Sequence, residues 1–430
     1  MRINIPKGLF DIVPEESKAE DAWRSSDRWL YLESVIREVC QAYGFYEIRT
    51  PMFERTELFV RGVGDSSDIV SKEMYTFEDK AKRLMSLRPE GTAPVMRAFI
   101  EKGLQQQGSF HKFYYIGPYF RYDRPQAGRY RQFHQFGVEA VGNDSPEQDV
   151  EIIDLLVTLY RRLGLKEWTL LINSVGDASC RAPYREALRD YLRPHFDSLS
   201  DDSKVRFEKN PLRILDTKDA DERKLLEGAP SIHNYLNEAC KEHFDTVCKQ
   251  LKVLGIPYTV DSNLVRGLDY YNKTVFEITS PSLGAQNSIS AGGRYDGLLE
   301  QLDGPNLPST GFAGGMERLL QTMMEQGCPF PKGPHPFIFI IPLGEQAYVQ
   351  AQKPLAELRH SGIAADCAPS SRKVQKGLQI ANQRSAVYAL VLGDEELESG
   401  NAKLKHLDSR KEHNVTLPNL IQTCKELYEN

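Results

Sequence analysis

Four stretches hold residue types able to do chemistry together. "RPEGTAP", Arg88 to Pro94, sets the Glu90 carboxylate two residues from the Thr92 hydroxyl. On an extended segment both side chains face one way, which suits an ammonium group, a donor of three hydrogen bonds that needs acceptors. The same letters also read as a turn with Thr92 capping a helix. Further on, Arg121, Arg124, Arg129 and Arg131 fall within eleven residues, answered only by Asp123. Planar guanidinium forks bind phosphate oxygens two at a time; the plainer reading is a solvated basic loop. Phe133 offers a ring face to a base. Gln135, Gly137 and Glu139 share one face of a strand by period two, and a charge such as Glu139 among apolar neighbours needs a partner or a ligand.

The third stretch, "VRGLDYYNKTVFEI", brings Arg266, Tyr270 and Tyr271 just ahead of a strand-like run, and "SAGGRYDG" adds Tyr295. The fourth, "GFAGGMERLL", sets Arg318 in the first turns of a helix after three glycines, where an anion is well received. Neither a GxxxxGK[ST] loop nor a strand-associated GxGxxG is present. Arginines from three distant segments, an acidic pair and tyrosine-bearing strand faces point to a site that activates a nucleotide. No nucleophile–base pair is visible, so charge neutralisation and orientation carry the chemistry.

These residues need rigid elements to hold them. "HKFYYIGPYFRYD" and "RQFHQFGVEAVG" read as an antiparallel hairpin with a long polar loop. Ser17 with Glu20 reads as a capping box, ahead of helical spacing at Trp29, Leu32, Val35, Ile36, Val39 and Tyr43 that Gly44 ends. "FYEIRTPMFE" follows as one strand. An amphipathic helix is expected near 149–163. Residues 177–256 are charged and helix-prone and suggest a helical insertion. Strands return at "KTVFEITS" and "NSISAGG", and "TGFAGGMERLLQTMMEQG" reads as strand, glycine turn and helix. "GCPFPKGPHP" (327–336) is a stiff proline-rich linker. The remainder, 337–430, alternates strand and helix ("FIFIIPL", a helix in which Pro354 is a possible kink, "IAADCAP", "KVQKGLQIANQ", "AVYALVLGD"), the pattern of a small α/β domain. The catalytic domain is accordingly expected over 1–326.

Composition excludes several classes. Of 430 residues, 40% are apolar and 27% charged, with a net charge of −6, against a protein that coats nucleic acid unspecifically. No apolar run approaches the ~20 residues of a membrane span, and the opening "MRINIPKGLFDIVPEES" lacks a signal-peptide pattern. Seven cysteines without CxxC and nine histidines without HxxxH or HExxH predict reduced core thiols, a cytoplasmic location and no protein-held transition metal.

With all four stretches in view, the chain resembles the bacterial histidyl-tRNA synthetases, class II aminoacyl-tRNA synthetases, along essentially its full length. "GFYEIRTPMFE" looks like the family's motif one, "YFRYDRPQAGRYRQFHQFGVE" like motif two and "GFAGGMERLL" like motif three, while "LVRGLDYY" and "SAGGRYDG" resemble the histidine-specific stretches. The resemblance implies an α+β fold: an antiparallel class II sheet with flanking helices, a helical insertion and a C-terminal α/β anticodon-binding domain. It implies that Glu90, Thr92 and Gln135 hold the histidine ammonium, and that Glu139, Tyr271 and Tyr295 form the imidazole pocket. Arg121 and Arg266 would lie at the reacting phosphate, Arg129 and Arg318 at the γ-phosphate, and Phe133 on adenine. ATP would be consumed with Mg2+ on its phosphates, tRNA(His) and L-histidine bound, and a homodimer formed through motif one. Arg124 and Gln126 would read the family's additional acceptor-end guanosine. Arg372, Lys373 and Lys376 are candidates for anticodon contact within a domain whose charges balance, eleven basic against eleven acidic from residue 334 onward. Motif two here reads Arg121, Tyr122, Asp123 where the family has glutamate third, which leaves Asp123 without an assigned role. The competing expectation is a non-aminoacylating paralogue, a regulatory subunit of ATP phosphoribosyltransferase, although such subunits generally lack the extra C-terminal domain. Synthetases for threonine or proline share the architecture but not "RGLDYY" with "GGRYD".

Overall fold

The computed structural model describes residues 3–64, 67–123, 128–217, 219–283, 287–369 and 373–429. Two compact units divide the chain, Met1–Phe330 and Pro331–Asn430.

The first unit is organised by an eight-stranded sheet in the order Tyr46–Glu47, His111–Phe120, Gln132–Val141, Ser309–Gly315, Ser288–Arg294, Asn272–Thr279, Thr169–Ser174, Thr259–Val260. The six central strands run antiparallel to their neighbours, and the two short outer strands add in parallel. The expected hairpin is its spine, paired from His111↔Val141 to Phe120↔Gln132. Alternation along each strand assigns the two faces. Phe136, Val138, Ala140, Phe276, Ile278 and Phe312 point to a core with Trp29, Leu32, Ile152, Leu156, Val247 and Leu319 of the covering helices. Those helices are Ser26–Ala42, Pro146–Arg162, Glu238–Val253 and Met316–Glu325. The opposite face carries Tyr115, Val275 and Val141, packed with Phe99, Tyr119, Tyr271 and Tyr295. Gln135 and Glu139 fall on this second face. The hairpin's period thus separates core from site.

Two local expectations change. Ser17 caps no helix: its N–H and hydroxyl both turn to the Glu16 carboxylate. A 3-10 turn occupies Ala19–Arg24, and the long helix begins only at Ser26. Extended backbone at Ser25 separates the two and lets both Trp23 and Trp29 reach the core, a tertiary gain that outweighs a local cap. "FYEIRTPMFE" is two strands rather than one. Tyr46–Glu47 joins the large sheet, while Phe53–Arg55 pairs with Leu84–Leu87 in a separate three-stranded sheet completed by Thr76–Glu78. Pro51, which lacks an N–H to donate, lies at the break.

Between Ser174 and Thr259 the chain makes helices Ala178–Leu192, Asp201–Lys209, Ala220–Leu226 and Glu238–Val253. Tyr184, Leu188, Phe207, Ile214 and Ile232 form a core of their own. The last helix belongs elsewhere: Phe244, Val247 and Leu251 enter the core under the large sheet.

The second unit is a five-stranded sheet, Ala365–Cys367, Ile338–Pro342, Tyr388–Leu392, Asn401–His406, Glu412–Thr416. Its first three strands are parallel and flanked by helices Glu345–His360, Val374–Gln383 and Leu420–Glu429. Pro354 lies inside the first of these without ending it. No described helix is long and apolar enough to cross a membrane.

Candidate active site

A cavity of about 340 Å³ opens on the second face of the large sheet. Every first-unit residue given a site role from sequence lines it, except the two outside the described residues and Glu139, which stands directly behind Thr92 and Tyr295. Arg131, the fourth of the clustered arginines, instead lies over the Tyr122 ring, 4.2 Å from its centroid.

Glu90 lies in the turn that feeds helix Thr92–Glu101. Its carboxylate accepts the N–H groups of Thr92 (2.7 Å) and Ala93 (3.0 Å). The segment is therefore not extended, and the helix cap is Glu90 rather than Thr92. Burial raises the Glu90 carboxyl above its ordinary range, with the two helix N–H groups pulling it back. Thr92, relieved of capping, donates its hydroxyl to Glu139 Oε1 at 2.8 Å. The same oxygen accepts from the Tyr115 hydroxyl at 3.2 Å, and Tyr295 donates to Oε2. Glu139 is wholly buried. Burial pushes its carboxyl up to about 8, against the lowering pull of the Tyr295 and Thr92 hydroxyls. Gly311 pairs with Glu139 across the sheet, and any Cβ there would overlap the carboxylate, so only glycine leaves room for it.

Tyr270, Tyr271 and Tyr295 form an aromatic wall, with centroids 4.7 Å apart for the first pair and 5.5 and 6.2 Å from each to Tyr295. Tyr270 and Tyr271 both line the cavity. Gln135 Oε1 is buried without a hydrogen-bond partner, as is Arg266 Nε. Such orphaned polar atoms are costly unless a ligand satisfies them. The Arg266 guanidinium pairs with Glu277 through Nη1.

The remaining cations line the same cavity. Arg121 donates Nε–H to the Pro89 carbonyl (2.9 Å), and its guanidinium lies 5.3 Å from the Phe133 ring centroid. Arg129 pairs with Asp123 at 3.0 Å. The departure at motif two thus places a carboxylate beside one of the cavity's arginines. Arg318 donates to the carbonyls of Gly128 (3.0 Å) and Ser288 (2.8 Å). Burial lowers the guanidinium pKa values of Arg121 and Arg318, and Arg129 adds to that for Arg318.

Sequence reasoning missed Tyr115, Glu73, Glu277 and Glu317, and named Tyr270 without giving it a role. Glu73 and Glu317 line the cavity, and Glu317 accepts the His134 N–H at 2.8 Å. Tyr115 was accessible in principle, since it faces Gly137 in the hairpin register and fills the space that glycine leaves. Arg124, Gln126 and Arg372 lie outside the described residues. Lys373 and Lys376 are exposed at the start of helix Val374–Gln383 in the second unit. Among the described residues, one group has metal-like spacing, Asp177 with Cys180 and Cys240. It lies between the insertion's first helix and helix Glu238–Val253, and its carboxylate caps helix Ala178–Leu192.

An antiparallel sheet presenting arginines, an acidic pair and a tyrosine wall to one cavity, followed by a separate α/β unit, is the build of a class II aminoacyl-tRNA synthetase. Residues 8–319 match the family model for histidyl-tRNA synthetase and residues 338–427 that for an anticodon binding domain. The chain belongs to the histidyl-tRNA synthetase family. It is 54% identical to the histidine–tRNA ligase of Protochlamydia amoebophila, over 99% of this chain and 100% of that one. To the histidine–tRNA ligase of Levilactobacillus brevis it is 46% identical, over 98% and 97%. The apo histidyl-tRNA synthetase of S. aureus superposes with a TM-score of 0.82 at 39% identity, over 99% of this chain and 100% of that one. A protein described as an ATP phosphoribosyltransferase regulatory subunit/histidyl-tRNA synthetase from Bacillus halodurans shares the fold, with a TM-score of 0.64 at 21% identity over 91% and 98%.

Proposed function

We propose that the cavity activates L-histidine with ATP and passes the histidyl group to the 3′ end of tRNA(His). One observation carries this reading: the buried, unpartnered Gln135 oxygen shares a cavity with Glu90, the tyrosine wall and four arginines. In this reading Gln135 Oε1, Glu90 and the Thr92 hydroxyl receive the histidine ammonium. The Tyr271 phenol meets one imidazole nitrogen, and Glu139 serves the other through the Thr92 and Tyr295 hydroxyls that stand between it and the cavity. A site that pairs both ring nitrogens rejects analogues that leave it unpaired by roughly 10⁴-fold.

Arg121 and Arg266 hold the histidine carboxylate against the α-phosphate, Phe133 stacks on adenine, and Arg129 and Arg318 hold the γ-phosphate. A carboxylate oxygen attacks the α-phosphorus in line, the bond to the β-phosphate oxygen breaks, and pyrophosphate leaves. Fixed guanidinium groups stabilise the charge that develops. The oxygen donors of Glu73 and Glu317 in the cavity suit a hard cation, so Mg2+ brought on the ATP phosphates would be held there and neutralise them. The tRNA ribose hydroxyl then attacks the acyl carbon and AMP leaves.

Arg124, Gln126, Arg372, Lys373 and Lys376 remain our candidates for tRNA contact, within a catalytic region of 1–326, a linker of 327–336 and an anticodon-binding region of 337–430. We also propose a cytoplasmic homodimer. Tyr46, Met52, Phe53, Phe77 and Leu84, in and around the motif-one segment, are 43–76% exposed, an apolar surface suited to a second copy. Light scattering on the purified chain tests it, and a monomer at micromolar concentration rejects it.

The decisive assay is ATP–pyrophosphate exchange with each amino acid in turn, followed by tRNA charging. Histidine alone should stimulate exchange; absence of exchange favours the regulatory-subunit reading. Arg266→Ala should lower exchange by roughly 10²–10³-fold with a small change in histidine affinity. Near-normal exchange would remove Arg266 from the reacting phosphate.

A further inference from the structure

Residues 261–271, which carry Arg266, Tyr270 and Tyr271, form neither helix nor strand. A loop without a ladder takes its conformation from whatever satisfies its backbone. At its start, Asn173 Nδ2 donates to the Leu264 carbonyl at 3.0 Å. Beyond that point the donors come from the helical insertion. Arg213 Nη2 donates to the Gly267 carbonyl at 2.5 Å, and its Nε lies 3.4 Å from Asp269 Oδ1. Asn210 Nδ2 donates to the same Asp269 oxygen at 3.0 Å. Arg181 Nη1 donates to the Tyr271 carbonyl at 2.8 Å. These bonds fall on either side of the loop's functional side chains, one residue after Arg266 and on Tyr271 itself.

The holders are themselves rigid. Arg213 is buried in the turn Pro211–Asp216, whose Leu212, Ile214 and Leu215 belong to the insertion's core. Val265, next to Arg266, packs against both that core and the tyrosine-bearing core beside the cavity. Neither Arg181 nor Arg213 lines the cavity.

We propose that Arg181 and Arg213 are positioning residues for amino-acid activation, through which the conformation of the helical insertion sets affinity at the histidine pocket. The inference rests on the histidine reading above and adds a control that the pocket's own residues do not supply. Loss of either guanidinium frees main-chain carbonyls adjoining Arg266 and Tyr271, and a pocket group such as the Tyr271 phenol that leaves its hydrogen-bonding position forfeits a contact worth roughly ten- to a hundredfold in affinity. Coupling is reciprocal: if the insertion fixes the loop, histidine on the loop must tighten the insertion.

Two measurements test this. Exchange assays on Arg181→Ala, Arg213→Ala and Arg213→Lys, with histidine and ATP varied separately, should show KM for histidine rising roughly ten- to a hundredfold and KM for ATP unchanged. Arg213→Lys, which keeps the charge and one donor, should recover part of the loss. In the unmodified chain, histidine should slow amide hydrogen exchange in Ala178–Leu192 and Pro211–Asp216, which it does not touch. Unchanged histidine KM in the folded alanine variants, or equal rises for both substrates, overturns the proposal. So does exchange in those two segments that ignores histidine, a result independent of how any variant folds. An unmodified chain with no histidine-dependent pyrophosphate exchange overturns the functional reading itself, and the proposal with it.

Discussion

Glu139 is sealed from solvent and still receives three hydroxyl groups, so its protonation is tied to stability. Its carboxyl, ordinarily near 4.5, is raised to about 8 chiefly by burial. Between those values the unfolded chain has released a proton that the folded chain keeps. Stability from this group is therefore complete below about 4.5 and is lost as pH rises through 8. At about 1.4 kcal/mol per pH unit, the ligand-free protein should lose roughly 4 kcal/mol between pH 5 and 8 relative to Glu139→Gln, which has no proton to release. Urea unfolding of both proteins at the two pH values measures it, and parallel pH dependence would rule it out. Glu139 stood out in the sequence because an acid on an apolar strand demands a reason. Tyr115 did not, because Phe113, Tyr114, Tyr115, Tyr119 and Phe120 look alike on one strand. Only register, which pairs Tyr115 with Gly137, tells it from the rest.

The elements around the site are tied together by a second buried group outside the cavity. Asp149 of helix Pro146–Arg162 accepts from Arg294 at the end of strand Ser288–Arg294 (2.8 Å) and lies 2.7 Å from Nε2 of His243 in helix Glu238–Val253. Arg294 also donates to the Asn143 and Ser145 carbonyls, each at 3.0 Å, and neither Asp149 nor Arg294 is exposed. Burial would raise the Asp149 carboxyl, but Arg294 and His243 outweigh it and hold it below its ordinary value. Its stabilisation is thus present above the ordinary carboxyl pKa and fades as pH falls below it. Removing one partner of such a pair strands a buried charge, so Asp149→Asn should cost about 3–5 kcal/mol at pH 7. A lowered urea midpoint at unchanged m-value is the expected record; a loss below 1 kcal/mol would show that the helices need no such tie. Periodicity made the first of these helices legible, as it did the central hairpin, whereas composition alone folded Glu238–Val253 into the expected insertion. It could not reveal that "FYEIRTPMFE" divides between two sheets, because pairing partners lie far away in sequence. Nor could it place Arg294 in the interior, since what neutralises it is supplied by other elements.

At the scale of the molecule, the cavity and the segment that matches an anticodon binding domain lie in units with separate cores. Phe337, Ile338, Leu355, Leu390, Leu404 and Leu420 fill the second unit's core, and residues of the first unit alone fill the clusters beneath and around the cavity. The change of pattern after the prolines made the second unit visible in sequence, but its last hairpin, Asn401–His406 with Glu412–Thr416, was not. There only Ala402, Leu404 and Val415 are buried among lysines, asparagines and histidines, too few apolar positions for alternation to show. Separate cores imply that residues 1–330 fold without the remainder, and all the groups assigned to activation lie within them. That fragment should keep histidine-dependent pyrophosphate exchange close to the full chain's. Charging of tRNA(His) by the fragment should fall by at least about tenfold, since each lost stacking contact with a base costs about 1–3 kcal/mol. Comparing exchange and charging on the same preparation separates the two activities. Charging that survives the truncation intact would move tRNA discrimination onto the first unit, whereas exchange that disappears from a folded fragment would mean the second unit has a share in activation.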